Sequence, residues 1–195
     1  MDNKKGLLLL LFAAFAVTTV GATNNGGGPI EYANEYEEFS SYCDYILKKW
    51  ESQYINNADE ESKYAIVKEY YPNEDIRNMT LIRAKQIIYA DYWQKIRASE
   101  VNRKIRLVYF DAAINQGQPT AVRMLQRLTG VTVDGIAGAV TVTASLAVTS
   151  YQYSNARYDR YDEVVRVNPS KSQYLAGWRN RLHDVQLLQI ALEGE

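Results

Sequence analysis

The 195-residue sequence predicts an all-α fold, on three observations. Apolar residues recur at three- and four-residue spacing over residues 35–50, a second such segment runs into a glycine at 117, and no run of convincing length alternates with period two. In the first segment Phe39, Tyr42, Cys43, Ile46, Leu47 and Trp50 form one stripe, with Glu51 at its C-terminal end. Asn56 through Lys63 is polar enough to read as a loop. Tyr71-Pro72-Asn73 then breaks the chain. Thr80 offers a side-chain cap for a helix to about Ile96, whose inner face is Ala84, Ile87, Ile88, Tyr92 and Lys95.

A third helix, from about Asn102 to Gln116, gathers Ile105, Val108, Tyr109, Ala112 and Ala113, and Gly117 supplies a positive-φ stop. Pro119 suits the first turn of the next helix, with Ala121, Val122, Leu125 and Leu128 on its apolar side and Gly130 past its end. Val131 to Val133 leaves a short strand open, but Asp134-Gly135 fits a turn leading to another helix near Thr141. After Pro169 a last helix presents Tyr174, Leu175, Trp178, Leu182, Val185 and Gln189 on one face.

Composition removes several function classes. With 47% hydrophobic and 23% charged residues the chain is ordinary for a globular protein, and its net charge of -1 supplies no general attraction for nucleic acid or acidic membranes. Nucleic acid is therefore not an expected partner. The single cysteine, Cys43, forms no internal disulfide and reads as a small buried helix residue; the single histidine, His183, is far along the chain, so a thiol catalyst lacks its base. No metal-ligand spacing and no phosphate-binding glycine loop occur, so neither metal nor cofactor is expected. Tyrosine is abundant, 16 against 4 Phe, and its amphipathic ring suits both sugar stacking and the rim of a small core.

Lys4 and Lys5 precede an apolar run from Leu7 to Val17 and small residues ending Val20-Gly21-Ala22, the form of a signal peptide cleaved near Thr23 or of an uncleaved signal-anchor. The expected location is secreted or periplasmic in the first case and membrane-tethered in the second, with membrane contact only through this segment. Asn24-Asn25-Gly26-Gly27-Gly28-Pro29 reads as part of a flexible linker. The expected organisation is a signal or anchor at 1–22, a linker at 23–34, and two closely packed helical regions at 35–106 and 107–190. Monomer is the default for this size and charge.

Phe110-Asp111-Ala112-Ala113-Ile114-Asn115-Gln116-Gly117, continuing through Leu125-Gln126 to Asp134-Gly135-Ile136-Ala137-Gly138 and Thr141, together with Trp50-Glu51-Ser52-Gln53-Tyr54 and Ile88-Tyr89, Tyr92-Trp93, resembles glycoside hydrolase family 108. The resemblance covers roughly residues 39 to 185. It implies a lysozyme-like helical domain over 35–106 that cleaves peptidoglycan as an N-acetylmuramidase, and a peptidoglycan-binding region over 107–190. A phage or prophage lysin fits such a chain. The Glu of the family's Glu-Gly-Gly-Tyr motif maps to Glu51 and its aromatic residue to Tyr54, while Ser62-Lys63-Tyr64-Ala65-Ile66 resembles a second element ending Tyr-Gly-Ile.

Glycoside hydrolysis needs an acid for the leaving oxygen and a second group to act on water or the sugar. Glu51 is the expected acid, since partial burial and the negative end of its helix both favour a protonated carboxyl. Asp59 is the expected second group, taken from the acidic run Asp59-Glu60-Glu61. Tyr54, Tyr64, Asn115, Gln116 and Gln126 are the expected peptidoglycan-binding residues, and Tyr89, Tyr92 and Trp93 are candidates to stack on sugars. Asp111 reads instead as a helix-holding partner for an arginine. Ser52 and Gln53 replace the motif's glycines; if those positions need positive φ they are strained, and the alternative is a catalytically decayed wall-binding or virion structural protein on the same scaffold.

Overall fold

The computed structural model describes residues 29–58 and 60–193, which form seven α-helices and one small sheet. The fold is mostly α-helical, as expected, and divides into two compact units, one ending at Tyr89 and the other starting at Ala90. The expected signal or anchor segment lies outside the described residues. Among those described, no helix is long and apolar enough to cross a membrane.

In the first unit α1 (Pro29–Trp50) begins inside the stretch 23–34 that reads as linker. A proline suits a helix's first turn because its missing N–H has no intrahelical partner to lose. The expected stripe is the buried face, with Phe39, Tyr42, Cys43, Ile46 and Leu47 enclosed and Trp50 half-buried. Burial pushes the Cys43 thiol well up, which keeps it protonated and inert. α2 (Leu81–Ile88) faces α1 with Ala84, Ile87 and Ile88 buried, and Thr80 caps it by accepting the Arg83 N–H at 3.1 Å. Lys85 ties the pair polarly, its Nζ lying 2.8 Å from Ser40 Oγ and 2.6 Å from Asp44 Oδ1.

A three-stranded antiparallel sheet, β1 (Ile55–Asn56), β2 (Glu61–Lys63) and β3 (Ile66–Val67), replaces the loop expected from Asn56 to Lys63. Strands this short carry too few side chains to show a period, so the turns set the register. Asn57 and Glu60 close the first hairpin: Asn57 N–H donates to the Glu60 carbonyl at 3.0 Å, and Glu60 N–H to Asn57 Oδ1 at 3.0 Å. The second hairpin turns on Tyr64 and Ala65 alone, with φ of 51° and 63°. Two successive left-handed residues match the twist of the flanking strands, which is why two-residue hairpins favour them. Ala65 pays backbone strain there and is buried. Ala65→Val, which adds β-branching at a positive φ and volume in a filled site, is expected to lower unfolding free energy by about 1–3 kcal/mol in urea melts; an unchanged midpoint would show that the turn relaxes.

Residues Tyr89–Trp93 form a π-helical turn. Its wider bonding inserts a residue into the helical period, so Trp93 and Ile96 are buried where Tyr92 and Lys95 were expected. Trp93 packs edge-on against Phe110 with centroids 5.0 Å apart, which removes it as a sugar-stacking surface.

The second unit is built around α3 (Arg103–Gln116), which packs against α4 (Gln118–Thr129), α6 (Ser150–Val167) and α7 (Ser172–Glu193). α3 is enclosed on every side beyond the expected stripe, Leu107, Phe110 and Ile114 being buried as well. Gly117 ends it at φ 87°, and Pro119 sits in the first turn of α4. Ala121, Val122, Met124 and Leu125 point inward from α4, whereas Leu128, expected on that face, remains 39% exposed. Residues 131–133 form no strand; the Asp134-Gly135 turn leads to α5 (Ala139–Ala144). Thr149 and Gln152 form a reciprocal capping box that starts α6, and Tyr161 and Trp178 stack between α6 and α7 at 5.4 Å.

Candidate active site

Glu51 follows the last residue of α1 and is only 6% exposed. Its main chain joins helix to sheet: the Glu51 N–H donates to the Leu47 carbonyl at 3.2 Å, and the Glu51 carbonyl accepts the Tyr64 N–H at 2.7 Å. The left-handed conformation of Tyr64 thus belongs to the same construction that fixes Glu51. Among the described residues the left-handed non-glycine positions are Tyr64, Ala65 and Arg97, so Ser52 and Gln53 in place of the glycines bring no positive-φ strain. The strain expected at those two positions is absent.

Tyr54 and Glu61 face each other across the first hairpin, Tyr54 Oη donating to Glu61 Oε1 at 3.0 Å while accepting from Asn56 Nδ2 at 3.2 Å. The Lys63 ammonium lies 5.4 Å from the centre of the Tyr64 ring. Asp59 lies outside the described residues. Its neighbour Glu60 is half-buried, and one of its oxygens, Oε1, is enclosed without a hydrogen-bond partner among the described residues. Desolvation raises the Glu60 carboxyl above its ordinary value, against a smaller opposing effect of Ser62.

In the second unit Asn115, Gln116 and Gln126 are all buried. Asn115 Oδ1 accepts from Tyr161 Oη at 2.6 Å, and Gln116 Oε1 from Arg157 Nε at 3.2 Å. Gln126 holds the Asp134-Gly135 turn: its Nε2 donates to Asp134 Oδ1 at 2.7 Å and to the Ile136 carbonyl at 3.1 Å, and its Oε1 accepts the Gly135 N–H at 2.9 Å. Gly135 has φ 82°, and a Cβ there would meet the Arg123 guanidinium at 3.1 Å. Each of these bonds is made inside the fold, while Gln116 Nε2 is enclosed without a hydrogen-bond partner among the described residues.

Asp111 is the electrostatic centre of this unit. It is fully buried, with Oδ2 2.7 Å from Arg157 Nη2, and Oδ1 2.9 Å from Arg181 Nε and 2.7 Å from Arg181 Nη2. Burial alone pushes the Asp111 carboxyl up, but Arg181 and Arg157 outweigh it and hold it below the ordinary carboxylate value. Asp111 thus has the helix-holding role read for it. The sequence reading did not single out Arg157 and Arg181, yet a carboxylate inside an apolar helix signals that buried cations must exist somewhere in the chain.

Residues 44–117 match the family model Glycosyl hydrolase 108, and residues 120–183 match the family model Predicted Peptidoglycan domain. Among solved structures the chain is similar to one described as Structure of Brucella abortus SagA, at 22% identity and a TM-score of 0.68, over 80% of this chain and 95% of that one. That likeness concerns the fold. The comparison with curated proteins finds no match. Taken together the two matches support a peptidoglycan hydrolase, its first segment similar to glycosyl hydrolase family 108 and its second to a predicted peptidoglycan domain.

Proposed function

We propose that the protein is an exported N-acetylmuramidase that cleaves the β-1,4 bond between N-acetylmuramic acid and N-acetylglucosamine, with Glu51 as general acid. The observation that carries this reading is the placement of Glu51, a buried carboxyl at a helix end, held by its own main chain to the hairpin turn inside the matched segment. A fixed carboxyl screened from water can deliver a proton to the leaving oxygen. Catalysis belongs to the region 35–106 and wall retention to the region 107–190, where Asn115, Gln116 and Gln126 shape the fold. Tyr54 and Tyr64, flanking Glu51 on the hairpin, bind the glycan.

The second group comes from the acidic run after Asn57. The family register favours Asp59, and the enclosed oxygen of Glu60 favours its neighbour. Asp59→Asn and Glu60→Gln, assayed side by side, decide between them. Export follows from the substrate, which lies outside the cytoplasmic membrane, and from the form of residues 1–22; a phage or prophage lysin is the setting these features fit. The absence of positive φ at Ser52 and Gln53 favours a working site over a decayed one.

The test is release of reducing ends from purified peptidoglycan, with products identified by mass spectrometry. New muramic-acid reducing ends are the expected result. Glucosamine reducing ends would reassign the bond cut. Folded protein that pellets with sacculi and releases nothing would establish the wall-binding alternative.

A further inference from the structure

In the second unit a groove of about 590 Å³ runs between α4 and α6, lined by Met124, Arg127 and Leu128 on one side and by Ala156, Asp159, Arg160, Asp162, Glu163 and Arg166 on the other. Its size falls within the range of small-molecule sites, roughly 300–1,000 Å³. The spacing is regular. Met124, Arg127 and Leu128 stand at i, i+3 and i+4 on α4, and Ala156, Asp159, Glu163 and Arg166 follow one face of α6.

The charges lining the groove fall into two sets. Arg160 Nη1 is bonded to Glu163 Oε2 at 2.8 Å, and Asp162 Oδ1 to Arg179 Nη2 at 2.6 Å. Arg127, Asp159 and Arg166 are exposed and take part in no ion pair or hydrogen bond among the described residues. Leu128 stays open beside them, while the core position on α4 is filled by Met124. The groove thus offers two uncommitted cations and one uncommitted anion around an apolar strip. Glycan without its peptide presents hydroxyls, acetamides and one lactyl carboxylate per muramic acid, which leave the anion and one of the cations without a counterpart. The peptide stem of peptidoglycan presents two or more carboxylates, methyl groups and, on its diamino-acid residue, one ammonium.

We propose that this groove binds the peptide stem of peptidoglycan, Arg127 and Arg166 taking its carboxylates, Asp159 its ammonium, and Leu128 with Ala156 its methyl groups. The inference rests on the wall reading above but not on the hydrolysis of any bond. A groove that reads the stem gives the second unit a grip on the wall independent of the glycan bond being cut. It also makes binding weaken as salt is added, because the recognising charges are exposed.

The test uses the full chain and two probes in calorimetric titrations: N-acetylmuramoyl-tripeptide carrying diaminopimelate, and the peptide-free N-acetylglucosamine–N-acetylmuramic acid disaccharide. Wild type is expected to bind the first and to lose at least about ten-fold in affinity in the Arg127→Ala/Arg166→Ala variant, two charge-assisted contacts being removed. Asp159→Asn is expected to weaken the diaminopimelate probe but not an analogue whose free amine is acetylated. These side chains are exposed, so thermal melts of the variants are expected to superimpose on wild type. No binding of the tripeptide by wild type, or equal binding by the double arginine variant, overturns the proposal. Reducing-end release measured on the same preparations separates the two readings. Release without tripeptide binding overturns the groove alone; tripeptide binding without release upholds the groove and overturns the muramidase.

Discussion

Glu51→Gln is expected to lower reducing-end release from peptidoglycan by about 10²–10⁴-fold, the range that one positioned general acid contributes. The exchange keeps the shape of the side chain and removes only the transferable proton. Two main-chain bonds at position 51, to the Leu47 carbonyl and from the Tyr64 N–H, survive the substitution. Helix α1 and the hairpin are therefore expected to stay in place, with the thermal midpoint near that of wild type. The variant should still pellet with sacculi, since nothing in the second unit changes. Steady-state kinetics give the sharper reading: loss in kcat with KM unchanged places Glu51 in the chemical step, whereas a rise in KM alone would make it a binding residue. Undiminished release by a folded Glu51→Gln protein would remove Glu51 from the reaction.

Asp111→Ala is expected to destabilise the second unit by about 3–5 kcal/mol, the cost of leaving a buried ion pair without one partner. Arg157 and Arg181 are fully buried and converge on this carboxylate, while Arg157 also donates to the Val108 carbonyl at 3.1 Å and to Gln116. Removing Asp111 leaves two desolvated guanidinium groups where α3, α6 and α7 meet. The pH dependence has a definite sign. The folded-state Asp111 carboxyl lies below its ordinary value, so its contribution is fully present above the unfolded carboxylate pKa and is lost as pH falls through the lower folded value. Wild type should therefore lose stability towards acid pH, and the gap between wild type and Asp111→Ala should narrow as it does. Urea melts at neutral and acid pH check both statements. A gap independent of pH would show that the charge of Asp111 is not what holds the helices.

Most helices were legible because their signals are local. The α1 stripe, the Thr80 cap, the Gly117 stop and the Pro119 start each act within a turn or two of chain, and each stands where the sequence put it. Cys43 and Asp111 were readable for a related reason: an apolar helix face leaves a thiol buried and obliges a carboxylate to find a cation. The misplaced readings share the opposite character. The sheet over residues 55–67 depends on turns whose two left-handed residues are tyrosine and alanine, types that carry no positive-φ signal. The π-helical turn at Tyr89–Trp93 shifts the inner face by one residue, and an ideal helical period cannot reveal it.

The sequence by itself determined the class of fold, the helix boundaries marked by Thr80, Gly117 and Pro119, the family resemblance and the candidacy of Glu51, since all of these are written in residue type and spacing. Tertiary structure alone decided that Asn115, Gln116 and Gln126 are buried and bonded to groups of the fold, that Leu128 stays open, and that Arg127, Asp159 and Arg166 face a groove without partners among the described residues. The physical reason is that a polar side chain's role depends on which distant groups reach it. Asn115 meets Tyr161 and Gln116 meets Arg157 only after α6 has folded across α3, and no spacing along the chain records that encounter.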